Sequence, residues 1–167
     1  MGRLIPLLAG LALCAPVLQA QWQSMGVGGD GRASAFFAVV GNPAGDRFEV
    51  RRQDDGTVTG LLVLREGFES FPPDHCPTLV VDMSAPIGLA ARNGPCRIDG
   101  HRAGFVFGTI EDGRIGSTHL VRLMDGQQVM FRFHVDGRGY RETRFPLRGS
   151  KNALTNLLGT DVVVEVR

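Results

Sequence analysis

From Val129 the chain alternates strictly, with Val129, Phe131, Phe133 and Val135 set against Met130, Arg132 and His134. One face is apolar and the other mostly polar, the period-two signature of a strand lying on a core. Shorter stretches of the same character predict strands at Ser34 to Val40, Arg47 to Arg52, Thr57 to Leu64, Thr78 to Met83 and Phe105 to Phe107. His119 to Met124 reads as a further strand, and Val162, Val164 and Val166 as a closing one. Pro86 to Ala91 reads as a short strand or extended segment, with Asn93-Gly94-Pro95 turning the chain toward Cys96.

The punctuation between these segments is regular. Asp-Gly occurs six times, at Asp30, Asp55, Asp99, Asp112, Asp125 and Asp136. Both residues tolerate the positive φ of tight hairpin turns. The last four lie 13, 13 and 11 residues apart, about one strand and one turn each, which predicts a β-meander. At Asp125 a three-residue loop pairs Leu123 with Gln127, so that Val121 faces Val129 and the apolar sides match.

One segment carries helical spacing instead. Leu154, Leu157 and Leu158 fall on one helix face, with Ser150 read as the cap and Gly159 as the stop. The expectation is an all-β chain, a mainly antiparallel β-sandwich or strongly curved sheet, with one short C-terminal helix packed on it.

The N-terminus changes the setting. Met1-Gly2-Arg3 is basic, Leu4 to Val17 is almost wholly apolar, and Leu18-Gln19-Ala20 ends in a small residue. These are the three parts of an export signal, with cleavage expected before Gln21. The apolar run is too short for a bilayer span. Cys14 follows Leu13 rather than a small residue, so a free product is expected over a lipid-anchored one. Residues 21–167 then form one domain, which at this size buries roughly 70% of the surface of its unfolded chain. A membrane β-barrel is excluded: ten phenylalanines but one tyrosine and one tryptophan cannot supply aromatic girdles.

Export also sets the cysteine count. Cys76 and Cys96 are the pair left after cleavage, and in the periplasm or outside the cell an even pair implies a disulfide. Closing such a loop stabilises a fold by about 3 kcal/mol in the chain-entropy account.

Charge is informative in its distribution. Residues 21–113 hold 8 basic and 12 acidic side chains, and residues 114–167 hold 9 and 5. Arg138, Arg141, Arg144, Arg148 and Lys151 form the densest basic stretch. It is the expected surface for an anionic glycan, a lipid or a partner protein, and charge reversal at Arg141 and Arg144 is expected to weaken that binding. Overall neutrality, with no helix-turn-helix, zinc finger or aromatic platform, argues against nucleic acid.

Catalytic chemistry finds no motif. There is no Gly-x-Ser-x-Gly elbow, no Cys-x-x-Cys and no nucleotide-binding glycine pattern. Gly28-Gly29-Asp30-Gly31 reads as a turn. His75, His101, His119 and His134 have no metal-ligand spacing, so no catalytic residue, metal site or cofactor is expected.

Past Thr78 the chain resembles the invasion-associated locus B family of exported bacterial proteins. The residues that carry this are Ala85-Pro86-Ile87-Gly88-Leu89, Arg97-Ile98-Asp99-Gly100, Ala103-Gly104-Phe105-Val106 and Val129 to Phe133. Phe145-Pro146-Leu147-Arg148-Gly149 with Ala153-Leu154 completes the set. The resemblance implies a small secreted or periplasmic β-protein that binds rather than catalyses, with a role in host-cell association. The further cysteines common in that family are missing between Phe105 and Gly113. The alternative is a small periplasmic enzyme inhibitor or immunity protein, presenting the loop Phe68-Glu69-Ser70-Phe71-Pro72-Pro73 beside Cys76.

Overall fold

The computed structural model describes residues 21–29, 32–65, 67, 69–88, 96–137 and 139–167. The expected export signal, residues 30 and 31, the turn at residues 93–95 and Arg138 lie outside them. Six strands form one antiparallel sheet: β1 (Gln23–Gly29), β2 (Arg32–Gly41), β3 (Arg47–Arg52), β4 (Thr57–Val63), then β7 (Arg97–Asp99) and β8 (Arg102–Thr109). Their order across it is β1-β2-β3-β4-β8-β7. A second sheet contains β5 (Thr78–Val81), β6 (Ile87–Gly88), β10 (Gln128–Val135) and β11 (Gly139–Pro146), in the order β11-β10-β5-β6. A small parallel pair joins β9 (Arg114–Gly116) to β12 (Val163–Glu165).

The two large sheets face each other over a phenylalanine core, and their alternation builds it. Phe48 of β3 meets Phe131 of β10 edge-on at 4.9 Å, with Phe105, Phe145 and Trp22 within 6.4 Å of the same ring. Truncating a ring so enclosed costs about 3–5 kcal/mol. The architecture is therefore the expected all-β sandwich. Side chains also cover the end of the edge strand β11. On β11 the carbonyls of Arg144 and Pro146 accept from Asn42 Nδ2 at 3.1 Å and Trp22 Nε1 at 2.9 Å. Both bonds take up carbonyls that would otherwise stand open on an edge strand.

The Asp-Gly turns hold at β3–β4, β7–β8, β8–β9 and β10–β11, where Gly56, Gly100, Gly113 and Gly137 all take positive φ. Asp125-Gly126 is the exception, because the segment before it is a helix. α1 (Thr118–Asp125) replaces the expected strand His119 to Met124, so the Val121–Val129 pairing does not exist. Val129 pairs instead with Val81 and Phe145. Leu120 and Leu123, three apart, are the residues buried, and Ser117 Oγ accepts from Leu120 N–H at 3.3 Å as the N-cap. Gly126 ends α1 because space requires it: a Cβ there would lie 2.4 Å from Val81 Cγ1.

The C-terminal helix α2 (Ser150–Leu158) buries Leu154, Leu157 and Leu158 and ends at Gly159, as its spacing predicts. Its cap differs. Gly149, in the left-handed region, is the N-cap, and Ser150 is the first helical residue. The Ser150 hydroxyl donates instead to the Leu123 carbonyl at 2.7 Å, fastening α2 to α1. The closing strand forms alongside β9, and Cys76 is bonded to Cys96 with Cα atoms 5.8 Å apart.

Candidate functional site

A groove of about 780 Å³ lies on the outer face of the six-stranded sheet. Strand register builds it. Residues directly opposite on antiparallel strands share a face, so Arg51, Thr59 and Val106 form one row across β3, β4 and β8. Glu49, Leu61, Gly104 and Arg97 form the next row and reach the edge strand β7. Within that second row the position at Gly104 has no side chain, leaving a hollow between Leu61 and Arg97.

Nothing in the packing demands glycine there. A Cβ on Gly104 would meet its nearest neighbours at 3.8 Å, ordinary contact, and its φ lies outside the left-handed region. The other two glycines of the β4–β8 pair differ. On Gly60 a Cβ would sit 2.2 Å from Phe105 Cε2, and Gly108 takes a φ of 157° beside a bulge. Glycine inside a strand lowers stability and often marks the close approach of a ligand. The groove's volume and mainly apolar floor, with polar groups at its rim, are those of small-molecule sites.

The rim is charged. Glu49 is buried on this outer face beneath Arg51, whose Nη2 lies 2.5 Å from its carboxylate, and the Arg51 guanidinium sits over Phe37 at 5.6 Å. Arg52 is spent on the Leu158 carbonyl at the end of α2. Arg97 is exposed and makes no ion pair among the described residues. At the other end stand Asp54 and Asp55 of the β3–β4 turn. The Asp55 carboxylate accepts from the Thr57 backbone N–H at 2.8 Å, which holds its pKa below the ordinary 3.8. The groove is thus cationic on the β7 side and anionic at the hairpin tip.

The basic stretch expected from sequence does not form one surface. Arg141 and Arg144 lie on opposite faces of β11. Arg141 points inward, pairing with Asp46 at 2.9 Å and with Glu69, over the Phe133 ring. Arg144 points outward to Glu142 at 3.1 Å, and Lys151 meets Asp125 at 3.0 Å. Arg148 is exposed on the turn before α2.

The histidines separate into two settings. His119, on α1 rather than a strand, packs against Phe107 at 5.7 Å, and His101 sits in the β7–β8 turn. His75 and His134, far apart in the chain, come together at 5.5 Å between ring centres. No group of three or more His, Cys, Asp or Glu residues suited to a metal occurs among the described residues. The proline-rich loop beside Cys76 turns its aromatic anchor inward. Phe71 is buried against Phe133 at 5.0 Å, and its N–H donates to the Gly100 carbonyl.

Sequence reading passed over the groove residues Leu61, Arg97 and Gly104. The signal was a glycine inside the apolar run Ala103 to Phe107, and its meaning depended on register. No helix among the described residues is long and apolar enough to cross a membrane. No family model, curated protein or solved structure matches the chain.

Proposed function

We propose that this chain is an exported, non-enzymatic binding protein that holds an anionic amphiphile in the groove over Gly104. The ligand class is a carboxylate or phosphate on an aliphatic body. The observation that carries the reading is Gly104 itself, a glycine with neither a backbone nor a packing reason to be glycine. An aliphatic segment lies on Leu61 and Val106, and its anionic head meets the Arg97 guanidinium, which no carboxylate among the described residues occupies. Arginine suits such a head because its planar donors match carboxylate and phosphate oxygens in pairs. The Cys76–Cys96 bridge supports an oxidising compartment, the periplasm or the cell exterior. A role in host-cell association follows from the family resemblance and rests on its short motifs.

Calorimetric titration of residues 21–167 tests this with two single-chain probes. Dodecanoate is expected to bind with one site per chain, and dodecyltrimethylammonium at least tenfold more weakly. Gly104→Val is expected to abolish dodecanoate binding while leaving the thermal unfolding midpoint unchanged or raised. Equal affinity for both probes, or dodecanoate binding that survives Gly104→Val, contradicts the proposal.

A further inference from the structure

A second site forms at the opposite sheet, where His75 and His134 meet. His134 sits on the outer face of β10, paired across the ladder with Tyr140, whose ring packs edge-on against it at 5.3 Å. His75 approaches from the loop before β5, and its ring stands edge-on to His134 at 5.5 Å between centres. All three side chains are exposed, so the imidazoles are open to an incoming ion.

The backbone holds both histidines firmly. His134 lies within the continuous β10–β11 ladder. The N–H of His75 donates to the Pro72 carbonyl at 3.2 Å, and the next residue, Cys76, is tied to Cys96. Two ligands placed by separate rigid elements lose little entropy when they close on a third body.

We propose that His75 and His134 form a two-imidazole site for a divalent transition metal ion, Cu(II) foremost. With metal–nitrogen bonds of about 2.0 Å, two imidazoles on one ion stand with their ring centres from about 4.5 Å apart, at a right angle, to about 6 Å apart, in line. The observed 5.5 Å is therefore close to a chelating separation, and small χ rotations of exposed rings align the nitrogens. Imidazole suits Cu(II), Ni(II) and Zn(II), and among these affinity is greatest for Cu(II). With two protein ligands, water fills the remaining positions, so the ion is held exchangeably at the surface. The Tyr140 ring flanks His134 from the neighbouring strand, and the disulfide keeps His75 in reach. This site is independent of the groove over Gly104, and neither depends on the other.

The test is Cu(II) titration of oxidised residues 21–167 in the presence of glycine as a competing chelator, read by calorimetry and electron paramagnetic resonance. One ion per chain is expected, with hyperfine structure from two nitrogens. His75→Ala and His134→Ala are each expected to weaken binding at least tenfold, while His101→Ala leaves it unchanged. Reduction of the disulfide is expected to weaken it as well, because His75 loses its anchor. Binding that survives in the His75→Ala/His134→Ala double variant overturns the proposal, as does the absence of any binding above the glycine background.

Discussion

Asp46 and Arg141 meet between the two sheets, carboxylate to guanidinium at 2.9 Å, with the Asp46 side chain wholly removed from solvent. The carboxylate also accepts from the Thr143 hydroxyl at 2.6 Å and from the Arg65 N–H at 3.0 Å. Asn42 completes the network, bonding Thr143 Oγ1 and the Asp46 N–H. The turn after β2 is thereby fastened to β11 of the facing sheet. A buried pair of this kind adds little over an apolar equivalent, but breaking it strands a charge.

Arg141→Ala is accordingly expected to lower stability by about 3 kcal/mol. Arg144→Ala, which removes an exposed partner, is expected to change it by less than about 1 kcal/mol. Urea denaturation midpoints of the two variants check this. Equal midpoints would mean that the Asp46 network contributes nothing specific.

Glycine positions of the β4–β8 pair separate cleanly by the same assay. Gly104→Ala is expected to raise stability by roughly 0.5–1 kcal/mol, since it removes chain entropy from the unfolded state and clashes with nothing. Gly60→Ala is expected to lower it by about 1–3 kcal/mol, because its Cβ meets Phe105 and Phe107. A destabilising Gly104→Ala would give that glycine a structural role and remove the argument for the hollow.

The turn at Asp55 predicts a pH dependence. Its folded pKa lies below the ordinary value of 3.8, chiefly through the Thr57 N–H. The stability it contributes is therefore full above that ordinary value and is lost as pH falls through the lower folded value. Wild type is expected to exceed Asp55→Ala at neutral pH, with the gap narrowing only below about pH 4. Denaturation midpoints measured from pH 7 to pH 2 follow it. A gap unchanged at the lowest pH would assign the effect to the turn backbone alone.

The Cys76–Cys96 bridge closes a 20-residue separation. Cys76→Ser/Cys96→Ser is expected to cost about 3 kcal/mol in the chain-entropy account. It is also expected to weaken dodecanoate binding, because Cys96 precedes Arg97 on the groove's edge strand. Thermal unfolding and titration of the double variant report the two effects separately.

Most strands were legible because their alternation and their Asp-Gly turns agree. α1 was not, since His119 to Met124 satisfies both periods: His119, Val121 and Leu123 alternate, while Leu120, Leu123 and Met124 follow a helix. The Ser117 cap was a local signal that the alternation outweighed, and what decides is the fit of Leu120 and Leu123 into the core, which is not local information. The basic stretch misled for a different reason. It counted neighbours in sequence, whereas a strand sends Arg141 and Arg144 to opposite faces. The hollow at Gly104 needed the register of four strands, which no single segment carries.

The most direct test of the groove is amide chemical-shift mapping of isotopically labelled residues 21–167 titrated with dodecanoate. The account predicts saturable shifts clustered at Arg51, Thr59, Leu61, Arg97, Gly104 and Val106, with Arg144, Arg148 and Lys151 unmoved. Shifts confined to the β11–α2 surface, or no saturable shifts at the groove, would contradict it.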